Sequence, residues 1–147
     1  MSRSKKNFLY RHSLTIVAVS LLLIWIVAYR ISDEKTHLGA FFGNAIADWS
    51  GSVVIVVGTK FLYEAGSAES RPVKKKERPR WRNLLHRHSL LIFIFVTGLG
   101  WAIVFWKMNP QSKWGQVVGN ILSEWVQMAG LVFLTKRLVE IGSKESR

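Results

Sequence analysis

The sequence contains no cysteine, only three prolines, and nine acidic residues against 21 Lys and Arg. Without cysteine, a disulfide, a Cys-ligated zinc and a thiol nucleophile are all excluded, while nothing follows about compartment. Acid is scarce enough to leave a net charge of +12. Also missing are a nucleophile–base pattern and a phosphate-cradling glycine loop, and within the apolar runs no two carboxylates stand at close spacing. No enzymatic activity is therefore expected, and no cofactor is assigned. The 147 residues allow one domain or two very small ones.

Charge is missing from whole stretches. Residues 12–29 and 88–106 hold nothing charged at neutral pH and are almost wholly apolar. Each run is about the length that crosses ~30 Å of hydrocarbon as a helix. "LGAFFGNAIADWSGSVVIVVGT" (38–59) and "WGQVVGNILSEWVQMAGLVFLT" (114–135) are similarly long and carry one acid each. Core helices of a soluble bundle keep a polar face, which these runs lack. The expected fold class is all-α, an integral membrane four-helix bundle. Arg3, Lys5, Lys6 and Arg11 precede the first run as in a signal peptide, but no small-x-small cleavage site follows it, so an uncleaved span is expected.

The second half of the chain rewrites the first. At an offset of 76 residues the halves align without a gap, and 23 of the 65 pairs from Asn7 to Arg71 are identical. "NFLYRHSL" falls on "NLLHRHSL", Trp25 on Trp101, "GN" at Gly43 on "GN" at Gly119, Asp48 on Glu124, and "GSAESR" on "GSKESR". This implies a duplicated two-helix unit, with a first repeat over 1–71, a basic linker over 72–82 and a second repeat over 83–147. Of the 21 Lys and Arg, 17 lie in the N-terminus up to Arg11, in 60–87, or from Lys136 onward. The positive-inside rule then places both termini and the linker in the cytoplasm, so the two hairpins share one orientation. For a bacterial chain the corresponding location is the inner, plasma membrane.

The basic residues Arg11, Lys74, Lys75, Lys76, Arg78, Arg80, Arg82 and Arg87 are expected against anionic lipid headgroups, with the linker an extended or disordered strip. Nucleic-acid binding is not expected, because the inside bias already accounts for the charge and no reading module accompanies it.

Within the spans, Asn44, Asp48, Asn120 and Glu124 form the candidate polar stripe. Each amide lies four residues before its acid, hence on the same helix face, where it could donate to the carboxylate. If the second helix ran from Asn44 to Ala65, the acid would sit about one turn below the outer surface, and this shallow register is the one expected. Starting at Leu38 would place it near the midplane. A ridge of small residues runs beside the stripe: Gly39, Gly43, Ala47 and Gly51, then Gly115, Gly119 and Ser123. It is expected to let the second and fourth helices pack closely at the centre, with the first and third outside. Ser13 and Ser89 are candidate helix caps. His12, His86 and His88 are not expected to bind a metal, since His86 and His88, two apart, point to different helix faces. Trp25, Tyr29, Trp101, Trp106 and Trp114 are expected as an outer aromatic belt, with Trp81 near the inner surface.

Residues 119–147 resemble an uncharacterised family of small four-span bacterial membrane proteins. The likeness rests on Asn120, Ser123, Glu124, Trp125, Gln127, Met128, Leu134, Thr135, Gly142, Ser143, Glu145 and Ser146. The first repeat keeps Asn44, Asp48, Trp49 and Thr59 but has Gly51 and Ser52 in place of Gln-Met. The resemblance implies a bacterial four-span protein and supplies no activity. Two functions are consistent with the residues. One is a small homo-oligomeric module, a dimer by preference, that passes ions or protons along the polar stripe. The other is a non-conducting membrane scaffold or accessory subunit.

Overall fold

The chain has nowhere to bend in its apolar runs, so its helices break where polar residues can turn the backbone. The computed structural model describes residues 8–65, 67, 79–136 and 138. The main helices among them are α1 (Ser13–Ile31), α2 (His37–Phe61), α3 (Arg80–Arg87), α4 (Ser89–Lys107) and α5 (Lys113–Leu134), and residues 8–11 are helical ahead of α1. All but α3 are long and apolar enough to cross a membrane. At ~1.5 Å per residue, the 19 residues of α1 and of α4 span ~28 Å, close to one hydrocarbon thickness.

The two short connections are built alike. Thr36 accepts a hydrogen bond from Gly39 N at 3.1 Å and donates to Asp33 O at 2.7 Å. Ser112 does the same with Gly115 N and Asn109 O at the same distances. In each turn the side chain at position 33 or 109 also accepts from the backbone N two residues on, at 2.9 Å. These are N-caps coupled to Asx turns, which satisfy donors that a helix start leaves open. They fix the start of α2 at His37. The shallow register from Asn44 to Ala65 is therefore corrected to 37–61: the cap lies eight residues before Asn44, and Leu62 turns extended after Phe61.

At the opposite end, His12 and His88 interrupt the helix in matching conformations, with φ/ψ of −118°/10° and −121°/18°. Ser13 and Ser89 do not cap α1 and α4. Their hydroxyls donate backward to Tyr10 O and His86 O, each at 3.0 Å. Arg80 and Arg82, expected in an extended linker, open α3. Lys74, Lys75, Lys76 and Arg78 lie outside the described residues.

α1 packs on α2, α2 on α5 and α5 on α4, so α2 and α5 form the central pair. The buried cluster joins Ile46 and Ala47 to Val117, Ile121, Trp125 and Met128, with Tyr29, Leu90, Ile94 and Val132 completing it. α1 and α4 turn Leu23, Val27, Phe95 and Leu99 outward at 57–65% exposure. Lipid tails suit such a surface, and water does not.

The small-residue ridge divides by task. A Cβ at Gly39 or Gly115 would overlap the backbone oxygen of Asp33 or Asn109, so these two serve the turns and not helix–helix contact. Gly43 seats the Tyr29 ring, whose Cε2 lies 3.1 Å from where a Cβ would be, and Gly119 seats Phe105 in the same way at 3.2 Å. Ala47 is buried and Gly51 faces Glu124. Ser123 departs from expectation, being exposed.

Replacing Gly39 or Gly115 by Ala should force backbone apart at a cost of ~1–3 kcal/mol, lowering the unfolding temperature in detergent by several degrees. Gly100→Ala, where a Cβ meets nothing within 4 Å, is the control and should not destabilise. Equal melting of all three variants would refute this account of the turns.

Candidate functional site: the polar face of the central helices

With α2 starting at His37 and α5 at Lys113, Asn44 and Asn120 are each the eighth helical residue, and Asp48 and Glu124 the twelfth. The acids thus sit midway along their helices. Asn120 Nδ2 donates to Asn44 Oδ1 at 2.6 Å, across the pair. One turn further on, the Asp48 and Glu124 side chains come within hydrogen-bonding reach of each other. The expectation that each amide would serve the acid of its own helix is corrected. Amide meets amide and acid meets acid, because the α2–α5 packing brings residue i against residue i+76. Gly51 faces the Glu124 carboxyl, and a Cβ there would lie 3.4 Å from Oε2, in van der Waals contact.

The four residues border one open face. Asn44 and Asp48 are exposed, and Asn120 and Glu124 are half-buried. Ser52 on α2, and Gln116, Ser123 and Gln127 on α5, extend the same face and are also exposed. No Lys, Arg or His accompanies the acids between residues 38 and 59 or between 114 and 135. Chemically, the face offers hard oxygen ligands and exchangeable protons without a compensating cation.

The expected aromatic belt is only partly a belt. Tyr29 is 1% exposed and is a core residue: its hydroxyl donates to Lys113 O at 2.6 Å, and its ring meets Trp114 edge-on at 5.3 Å. Lys113 reaches back to the carbonyl of Ser32, clasping the end of α1 to the start of α5. Trp25 stacks on Phe42, and Trp101 packs on Trp125, whose indole N–H donates to Thr97 at 2.8 Å. Trp106 and Trp81 are 89% and 64% exposed, with the Arg82 guanidinium 5.8 Å from the Trp81 ring.

The residue that sequence reasoning missed is Glu64. It follows α2 in an extended stretch that pairs with the start of α4: Ala65 N donates to Arg87 O at 2.7 Å, and Glu64 bridges to His88. Its carboxylate is fully buried. It is ion-paired with Lys136, lies 2.6 Å from His88 Nδ1, and accepts from Leu91 N at 3.2 Å. At the positions 76 residues earlier the lysine and histidine bond directly, Lys60 Nζ donating to His12 Nδ1 at 2.9 Å. Glu64 therefore sits between His88 and Lys136, whereas Lys60 and His12 are in direct contact. The one available signal was its recurrence as Glu140 at the same offset. Among the described residues, no three His, Cys, Asp or Glu side chains cluster as a metal site.

The chain matches no family model, no curated protein and no solved structure. The geometry therefore carries the functional argument alone.

Removing Glu64 would leave Lys136 and His88 facing each other without the acid between them. Glu64→Ala should cost ~1–3 kcal/mol, and its combination with Lys136→Ala less than the sum of the single losses. Additive losses in detergent unfolding would show that the buried pair is not coupled.

Proposed function

We propose that the protein is a small homo-oligomeric membrane module that passes ions or protons along the face bearing Asn44, Asp48, Asn120 and Glu124. The observation that carries this reading is the meeting of two carboxyl groups at mid-helix on an open face, one turn from an amide pair. An ionisable group at that depth is costly, ~2.5–3.5 kcal/mol for an Asp at a helix centre, and groups retained there characteristically line ion or proton paths. Two facing carboxyls also share and relay protons readily, since like charges held close resist simultaneous ionisation.

In this reading the chain is two tandem, like-oriented helical hairpins, 1–71 and 83–147, related by an axis along the membrane normal. Supporting it, partner numbers rise together along α2 and α5: 43 with 117, 44 with 120, 48 with 124. Both termini and the basic linker face the cytoplasm of a bacterial inner membrane. The exposed Trp81, Leu84 and Leu85 of α3, with Arg82 beside the Trp81 ring, suit the boundary between headgroups and acyl chains.

One observation favours the alternative of a non-conducting scaffold or accessory subunit. The Asn44–Asn120 hydrogen bond is itself a helix-locking device of ~1 kcal/mol. Flux through liposomes separates the two. Purified protein should pass cations or protons, and Asp48→Asn with Glu124→Gln should reduce flux to that of empty liposomes while oligomer size is kept. A protein that passes neither across a pH series, and whose double variant loses only stability, is a scaffold.

A further inference from the structure

A membrane-spanning helix can satisfy its backbone internally, but lipid tails offer nothing to its polar side chains. In this chain the two kinds of surface are sharply divided. The outward surfaces of α1 and α4 are apolar nearly throughout, and lipid can cover them. The open face of α2 and α5 is not. Asn44, Asp48 and Ser52 on α2 stand exposed beside Gln116, Ser123 and Gln127 on α5, with Asn120 and Glu124 half-buried between them. Spacings of three and four residues hold each set on one side of its helix. α1 and α4 pack against other sides of the central pair, where Tyr29 covers Gly43 and Trp125 meets Thr97, so nothing in the chain's four spans screens this face from lipid.

We infer that a second copy of this chain covers the α2–α5 face, so that the polar site is enclosed only in the dimer. The chemistry of the face selects that occupant. Its carboxyl groups need hydrogen-bond donors, and the face itself carries them as the amides of Asn44, Gln116, Asn120 and Gln127 and the hydroxyls of Ser52 and Ser123. Donors and acceptors on one patch make it self-complementary, as a twofold interface between identical chains requires. The face also has relief to accept a partner: Glu124, Gln127, Met128, Gly130, Leu131 and Leu134 line a groove of about 520 Å³. At Gly130 a side chain would meet nothing within 4 Å of its Cβ. Face to face, two copies place four inner helices around a polar centre and leave four apolar helices to lipid. This inference rests on the membrane-spanning reading proposed above and holds whether or not the enclosed centre conducts.

The absence of cysteine makes the test direct, because any introduced thiol is the only one. Ser52→Cys, Ser123→Cys and Gln127→Cys report the polar face. Val27→Cys and Ile103→Cys, exposed at 60% and 50% on α1 and α4, report the outer surfaces. Full-length variants in lipid bilayers are oxidised with copper phenanthroline, and covalent dimer is read on a denaturing gel. At least one polar-face position should give several-fold more dimer than either outer position, and native mass measurement in nanodiscs should give two chains for the unaltered protein. Dimer formed equally at the outer positions, or at none of the three polar positions, overturns the inference. Polar-face dimer from protein that passes no ions would sink the permeation reading and leave the interface standing. Flux from a protein that is a single chain in nanodiscs would do the reverse.

Discussion

A carboxyl group halfway along an apolar helix has to find another polar group, and the packing of α2 on α5 follows from that need. Asp48 and Glu124 find each other, and Asn44 finds Asn120 one turn earlier. Everything near them accommodates the approach. Gly51 is bare beneath the Glu124 carboxyl, Ala47 is 1% exposed in the seam, and Gly43 and Gly119 make room for rings supplied by the outer helices. The outer helices contribute apolar packing and a lipid-facing surface, while the inner two carry the groups with chemistry.

The two ends of the molecule are held by different means. At the ends joined by the short turns, each hairpin is closed locally by a cap, an Asx turn and a glycine that cannot bear a side chain. The two turns are near copies in geometry, yet the fastening between hairpins is one-sided. Tyr29 bonds to Lys113 O, whereas its counterpart Phe105 has no hydroxyl to offer. At the other end the hairpins are joined through Glu64, which leaves the first unit and becomes a buried partner of His88 and Lys136 in the second. The two halves thus hold matching turns and helix breaks, and small departures from that match tie them into one body.

Four apolar helices were legible because lipid-length runs are a property of composition, visible without any tertiary contact. The central pairing of α2 with α5 was expected too, although of the small-residue ridge Ala47 and Gly51 lie in the seam itself while Gly39 and Gly115 serve the turns. What sequence reasoning got wrong had local causes of a kind it could have weighed: Thr36 and Ser112 as caps fix the helix starts, and they place the acids deeper than the apolar pattern suggested. What it missed had no local cause at all. Glu64 lies 24 residues from His88 and 72 from Lys136, and nothing in its own neighbourhood marks it as buried. The partners within the polar stripe were misassigned for a related reason. Helical spacing reveals which residues share a face, but not which neighbouring face they meet.

The account depends on two hairpins entering the membrane from the same side, since only then do α2 and α5 run together and bring position 48 against 124. Sidedness is measured most directly with single thiols in the cysteine-free chain, labelled by a membrane-impermeant maleimide in sealed vesicles of known orientation. Tyr10→Cys, Pro79→Cys and Leu138→Cys should all label from the cytoplasmic face, and Lys35→Cys and Gln111→Cys only from the other. Labelling of Pro79→Cys from the face opposite to Tyr10→Cys or Leu138→Cys would mean oppositely oriented hairpins, and the polar face described here would not exist.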